Sequence, residues 1–387
     1  MIFTLLVAAA SMIWAAEKPL LESEFIFPLE HWHNHASAIV QLPNGDLYVC
    51  WYNGSGERTA DDVKVMAARR RRGSKDWEPR YTLADTPGFP DTNPTMFVDS
   101  QKRLWLFWQA IVANEWHTAI TKYKVGPADF RDKPRWDTSE ILLAVPRDFA
   151  AKAKEGIERW PASPYRDQQL QHAADKYFSR MGWMTRAHPV ELPGGRVLVP
   201  LYSDGYDFSL MAFTDDGGAT WQTSEPVVGM GAIQPTVVRK RDGTLVAYFR
   251  DNGPAPKRVH MAVSRDNGVT WPEVMDTDIP NPGSGLEAIV LKDGAWVMIY
   301  NDLEKGRHQL AVSLSDDEGK TWKWKRYIER DDRGQGAASF HYPSIIQARD
   351  GTLHASYSYF LNHLSREAPR KTIKHAQFNV EWIRQGK

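Results

Sequence analysis

Six times along the chain, a short run of alternating apolar and polar residues reaches a tight polar turn and reverses into a second apolar run. The units cover residues 37–49, 94–107, 189–199, 235–246, 287–297 and 343–354. Five of them turn on Asn44-Gly45, Gly194-Gly195, Asp242-Gly243, Asp293-Gly294 and Asp350-Gly351; the second turns through Asp99, Ser100 and Gln101 without a glycine. Alternation with a period of two turns one face of each strand inward, and glycine supplies the positive φ that a tight hairpin demands. Six units of one or two hairpins each predict an all-β chain folded as a six-bladed β-propeller. One interval breaks the rhythm. Within residues 146–184, the stretches 149–160 and 166–178 are rich in Ala, Glu, Lys and Gln and poor in β-branched residues. That composition predicts a short helical insertion, two helices long, between the second and third blades. Such an insertion either walls a cleft or merely elaborates the scaffold.

A second pattern is laid over the first. Residues 214–221 (TDDGGATW), 264–271 (SRDNGVTW) and 315–322 (SDDEGKTW) all fit [S/T]-x-D-x-G-x-T-W. Their tryptophans recur at roughly fifty-residue spacing, the period of radial repeats. The octet describes a turn: Asp accepts from amides ahead of it, Gly takes the left-handed conformation, and Thr and Trp re-enter a strand. Lys75-Asp76-Trp77 is a degenerate version closing the first unit. The octets resemble the Asp-box, or bacterial neuraminidase repeat, of the sialidase-like β-propellers. In that family the motif is structural and stands away from the chemistry.

Composition narrows the class. Residues 1–16 are largely apolar, too short to span a bilayer comfortably and of the length of a secretory signal core, so residues 17–387 are expected to form the propeller, secreted or periplasmic. No later segment is apolar enough for a membrane helix. The 48 basic and 48 acidic residues balance, which leaves no bulk charge to attract nucleic acid. The run Arg69–Arg72 reads as a strand end and turn. A lone Cys50 excludes intrachain disulfides, and no pattern calls for a cofactor or metal. Sixteen tryptophans suit the wedges between blades, and some suit the face of a sugar ring.

The resemblance also implies a site. Arg250 stands where the family has its second carboxylate-binding arginine, Arg307 where it has the third, and Tyr342 where it has a tyrosine nucleophile. Guanidinium groups converging on a carboxylate give the bidentate recognition that lysine does not match. A sialic acid carries its carboxylate on the anomeric carbon, so a neutral tyrosine avoids the repulsion an anionic nucleophile would meet. For the family's general acid, Asp61 and Asp62 stand closest. Two positions depart from the pattern: His35 replaces the first arginine, and Gln234 replaces the glutamate that deprotonates the tyrosine. Glutamine can hold a hydroxyl but cannot take its proton. Standard exo-sialidase chemistry is therefore not expected.

Other groups have two readings. His31, His33 and His35 alternate and would share a strand face, as metal ligands or, better, as acid-group partners. His188 and His341 begin repeats, where a propeller's funnel is lined. Glu287 also begins a repeat and could replace Gln234 as the base, or be a buried structural carboxylate. The chain reads as a secreted glycosidase acting on a glycan with an acidic sugar, sialic acid-like or uronic. The alternatives are a polysaccharide lyase acting on uronates and a non-catalytic propeller that binds glycan or protein.

Overall fold

The structure is a computed structural model that describes residues 18–334 and 336–386; the expected signal segment lies outside them. Six antiparallel sheets form the blades. The first runs through His33–Gln41, Leu47–Gly54, Lys64–Arg70 and Tyr81–Ala84, and the second through Asp91–Val98, Arg103–Ile111, Ala119–Pro127 and Thr138–Ile141. In the third, the innermost strand is broken into Met184–Thr185 and Val190–Glu191, followed by Val197–Ser203, Phe208–Thr214 and Gln222–Thr223. The fourth comprises Ala232–Arg239, Leu245–Asp251, Arg258–Ser264 and Val274–Pro280. The fifth comprises Glu287–Val290, Trp296–Tyr300, Gln309–Ser315 and Trp324–Arg330. Ala338–Gln347, Leu353–Leu361 and Lys371–Phe378 make the sixth, whose outer strand is Leu21–Phe25 from the other end of the chain, paired from Leu21 with Phe378 to Phe25 with Lys374. This exchange closes the ring by joining both ends of the described chain in one sheet.

The core is six wedges between neighbouring blades, and each wedge holds a tryptophan: Trp108, Trp105, Trp271, Trp296, Trp382 and Trp51 around the ring. Large flat side chains fill the widening gap between twisted sheets with few atoms left in contact with water. Cys50 is fully buried in one wedge, and burial pushes its thiol up, as for an inert core residue.

Each Asp-box joins the third and fourth strands of its blade, in the third, fourth and fifth blades. The same bonds recur at all three: Asp216, Asp266 and Asp317 each accept from the amide of the Thr four residues on, at 2.9 Å, and from its hydroxyl, at 2.6 Å. The Ser or Thr opening the octet donates to the Asp at 2.8 Å and accepts from the amide of the glycine. The degenerate sequence at Lys75-Asp76-Trp77 sits at the equivalent turn of the first blade.

The insertion between blades two and three contains three helices rather than two: α1 (Phe149–Ile157), α2 (Pro164–Ala174) and α3 (Lys176–Arg180). Asp175 ends α2 and caps α3, accepting from Tyr177 N, and so splits the longer stretch. Pro164 at the first turn of α2, with Ser163 accepting from Arg166 N, fixes its start. Phe149, Ala153, Ile157 and Trp160 pack into the wedge of blades two and three.

Candidate active site

Four inner strands carry the same irregularity. In blades one, two, four and six the register shifts between His35 and Ala38, Thr92 and Thr95, Ile233 and Thr236, and His341 and Ser344. Each bulge holds one residue at positive φ: Ala36 (52°), Asn93 (43°), Gln234 (53°) and Tyr342 (47°). In three of them the next residue is proline, which ordinarily pushes its predecessor into extended geometry. The backbone is strained at corresponding places, and the bulge re-aims the side chain toward the axis.

Two of the side chains so placed, Asn93 and Tyr342, line a pocket of about 330 Å³ together with Tyr52, Glu57, Tyr202 and Arg250, with Trp116, Asp204, Asp207 and Asn252 completing the wall. Tyr342 is its centre. Its hydroxyl oxygen accepts from Arg250 Nη1 at 3.0 Å and from Gln234 Nε2 at 3.3 Å. Two N–H donors, one cationic, therefore converge on one phenol oxygen, an arrangement suited to holding charge there. Space for the ring depends on Gly285, because a Cβ at that position would come within 2.7 Å of Tyr342 Cδ1.

Arg250 Nη2 donates to Asn252 Oδ1 at 3.2 Å, while its buried Nε has no partner among the described residues. Asn252 in turn donates to Asp207 at 2.6 Å, and Tyr165 of α2 donates to the other oxygen of Asp207 at 2.9 Å. The insertion is thus bonded, through Asp207 and Asn252, to the arginine at the centre of the site. Arg307 lies against Tyr342 but is not among the residues lining the pocket: its Cζ is 5.7 Å from the ring centroid, and it is bonded to His341 Nδ1 and to Gly283 O, both at 2.7 Å.

His35 packs on Tyr342 with ring centroids 4.5 Å apart, and its Nδ1 is 2.9 Å from Ser358 Oγ. That oxygen also accepts from Ala36 N, so Ser358 ties both the imidazole and the main chain of the bulge. Burial, then the nearby His341 and His33, hold His35 well below the usual imidazole value. It is a neutral ring where the resemblance implies a cation. Burial and Arg307 keep His341 neutral likewise.

The remaining expected residues lie elsewhere. His31 is exposed and precedes the strand that begins at His33, so the three histidines do not share a face. His33 accepts from Lys371 Nζ at 2.8 Å, which leaves its Nε2 proton for Glu57 Oε1, 2.8 Å away. Asp61 and Asp62 are exposed; Asp62 accepts from the amide and hydroxyl of Ser55 and stabilises the loop. Glu287 and His188 form a buried pair at 2.7 Å; the second Glu287 oxygen accepts from Ile345 N, and His188 Nε2 donates to Ile39 O. Burial works to raise Glu287, but His188 outweighs it and holds the carboxylate low. The pair lines a second cavity, of about 890 Å³, among later residues of the inner strands, away from Tyr342.

Several site residues carried no signal in the repeat pattern. Arg186, in the break of the third blade's inner strand, is buried with Cζ 5.0 Å from the Tyr342 ring and donates to Pro343 O. Glu57 accepts from Tyr52 Oη at 2.9 Å as well as from His33; burial works to raise its carboxyl, but these donors and His35 outweigh it and bring it down to about 2. Asp204 stands in the third-blade turn, where burial pushes its carboxyl up to about 6, with Arg250 opposing and Asp207 assisting. Glu57 neighbours Asp61 in sequence, and Asp204-Gly205 reads as one more turn; neither could be told from structural carboxylates by spacing.

A family model described as the BNR repeat-like domain matches residues 45–355. The chain belongs to that BNR repeat-like family. Among curated proteins, none matches it significantly in sequence. Solved structures agree on the fold. A protein of unknown function from Dyadobacter fermentans superposes with a TM-score of 0.68 at 16% identity, covering 93% of this chain and 98% of that one. The NanB sialidase of Streptococcus pneumoniae gives 0.67 at 12%, covering 93% and 71%. The intramolecular trans-sialidase of Ruminococcus gnavus gives 0.66 at 14%, covering 91% and 95%. At these identities the likeness shows that this BNR repeat-like chain has the sialidase-type propeller fold, and the chemistry must be argued from the pocket.

Proposed function

We propose that the protein is a secreted glycoside hydrolase that removes an acidic sugar from a glycan, with Tyr342 as nucleophile and Arg250 as the cation that receives the sugar's carboxylate. The observation that carries this reading is the convergence of Arg250 and Gln234 on the Tyr342 oxygen in a strained, enclosed setting. The Ruminococcus relative was solved with a carboxylate ligand, oseltamivir carboxylate, which is consistent with an anionic sugar here. The set differs from a sialidase's in two functional respects. His35 is neutral, so the clamp lacks one charge-assisted bond of about 1.5–3 kcal/mol. Gln234 donates to the tyrosine and cannot act as its base, so the neutral Tyr342 hydroxyl attacks and gives up its proton to water as its bond to the sugar forms, its oxygen held by the two donors. Both features favour a uronic or other acidic sugar over α-sialosides.

Comparing turnover of an aryl α-sialoside with that of a panel of uronic-acid glycosides, for the wild type and Gln234→Glu, tests this. The expected result is wild-type preference for a uronide and a gain of sialoside turnover in the variant. Robust wild-type sialidase activity would overturn the altered specificity, and no turnover of any acidic glycoside would overturn the hydrolase. A lyase is the second reading, favoured by the neutral His35 packed against Tyr342. An ultraviolet-absorbing unsaturated product from a uronate polymer would identify it.

A further inference from the structure

Breaking a glycosidic bond requires a proton for the departing oxygen, so a hydrolase with a tyrosine nucleophile needs a carboxyl group beside it that is protonated and unoccupied. Three carboxyl groups line the pocket: Glu57, Asp204 and Asp207. Glu57 is held ionised, with Oε1 receiving both Tyr52 and His33. Asp207 has both oxygens filled, by Asn252 at 2.6 Å and by Tyr165 at 2.9 Å. Asp204 differs from both. Among the described residues no donor bonds its carboxyl and no cation pairs with it, although it shares the pocket with Arg250 and Tyr342.

The turn that carries Asp204 is braced. Gly205 N donates to Ser203 Oγ at 3.1 Å and Asp207 N to Ser203 O at 2.9 Å. From the insertion, His172 Nδ1 lies 3.2 Å from Gly205 O, and Tyr206 Oη donates to His172 O at 2.8 Å. So many bonds hold the main chain on both sides of Asp204 while its side chain is left free. Catalysis benefits from a fixed backbone under an unengaged acid.

We infer that Asp204, on the third-blade hairpin, is the proton donor to the departing glycosidic oxygen, a role that rests on the hydrolase reading above. The Tyr342 oxygen bonds to the anomeric carbon, its proton passing to water, as the carbon–oxygen bond to the leaving group breaks; the electron pair of that bond remains on the leaving oxygen, and the Asp204 proton goes to that oxygen. In the second step a water oxygen bonds to the anomeric carbon, the bond to Tyr342 breaks and its oxygen takes a proton back from solvent water, and the carboxylate of Asp204 takes the attacking water's proton. Burial favours the neutral acid in the free enzyme, and the carboxylate of a bound acidic sugar adds to that effect.

The test compares Asp204→Asn with wild type on two glycosides of the acidic sugar that the wild type hydrolyses best. One carries the good leaving group 4-methylumbelliferone, the other an unactivated sugar alcohol. With Asp204 as donor, kcat/KM on the unactivated substrate falls by ~10²–10⁴-fold, and on the aryl glycoside far less. The fall in wild-type kcat/KM as pH rises through about 6 disappears in the variant. Asp204→Ala with added azide yields the glycosyl azide, a readout that survives if the Asn form folds poorly. Equal losses on both substrates with an unchanged pH profile would overturn the role of Asp204 and leave the hydrolase standing. So would a leaving-group-dependent loss in Asp61→Asn or Asp62→Asn instead. Failure of the wild type to hydrolyse any acidic glycoside would overturn both.

Discussion

The outer turns and the inner strand ends of this propeller are both repeated, and they are repeated in opposite ways. At the outer turns, the octets ending at Trp221, Trp271 and Trp322 keep the same side chains and make the same bonds to within 0.1 Å for the Asp–Thr pairs. At the inner ends, the backbone repeats its bulge and positive φ, but the residue there is Ala36, Asn93, Gln234 or Tyr342. Constant chemistry on constant backbone is what a scaffold needs. Varied chemistry on a constant, strained backbone is what a site needs, because the strain is kept while the side chain is free to change.

The contrast is broken most forcefully at Tyr342. Replacing it by Phe keeps the ring in its space beside Gly285 but removes the oxygen that Arg250 and Gln234 address. Turnover should fall by about 10³-fold or more, with the melting temperature unchanged to within about 2 °C. Activity close to wild type would show that the inner ends are scaffold too. Arg250→Lys is the next largest. It loses the planar fork that spans Tyr342 and Asn252, so affinity for an acidic sugar, measured by calorimetry, should drop about ten- to a hundredfold while the fold persists. Equal affinity for every acidic glycan would remove the carboxylate site.

Acid should separate the regions as well. His35, His341, His354 and His375 are all held below the ordinary imidazole value, with burial the largest cause and His354 brought down to about 3. The unfolded chain takes up those protons near pH 6.5 and the folded chain does not, so stability is lost as pH falls from about 6.5 toward 3. Asp91, Asp204 and Asp207, pushed up by burial, and His188, which Glu287 holds up against its burial, act in the opposite sense as pH falls, but Glu24 and Glu57, brought down to about 2, add to the loss at lower pH. Denaturant midpoints should therefore decrease steadily below pH 6.5, and a midpoint that rises there would show that the carboxyl groups prevail. The smallest effect is expected at the outer turns. Asp266→Ala removes the bonds to Thr270 and should lower the melting temperature by ~2 °C without changing turnover per folded molecule.

The same contrast explains how much could be read from the sequence. The hairpins and octets are local, formed by residues within a few positions of one another, so alternation and spacing identify them and the six blades follow. Tyr342, Arg250 and Gln234 were singled out by the family resemblance, and the structure brings them within hydrogen-bond reach of one another. Arg186, Glu57 and Asp204 were not, because the first lies in a broken strand and the other two in turns, where sequence pattern carries no direction. They reach Tyr342 only after blades one, three and six have closed on one another. The insertion illustrates the limit: its helices were legible by composition, but the link from Tyr165 through Asp207 and Asn252 to Arg250 is made across the fold.

The central claim is that Tyr342 bonds to an acidic sugar during turnover. Incubation with a 2-fluoro derivative of that sugar carrying a fluoride leaving group slows the second step, and peptide mass spectrometry then locates the adduct. The account predicts one equivalent of glycosyl group on Tyr342, and none after Tyr342→Phe. An adduct on Glu57, Asp204 or another residue, or continued turnover of the acidic glycoside with no adduct at Tyr342, would contradict it.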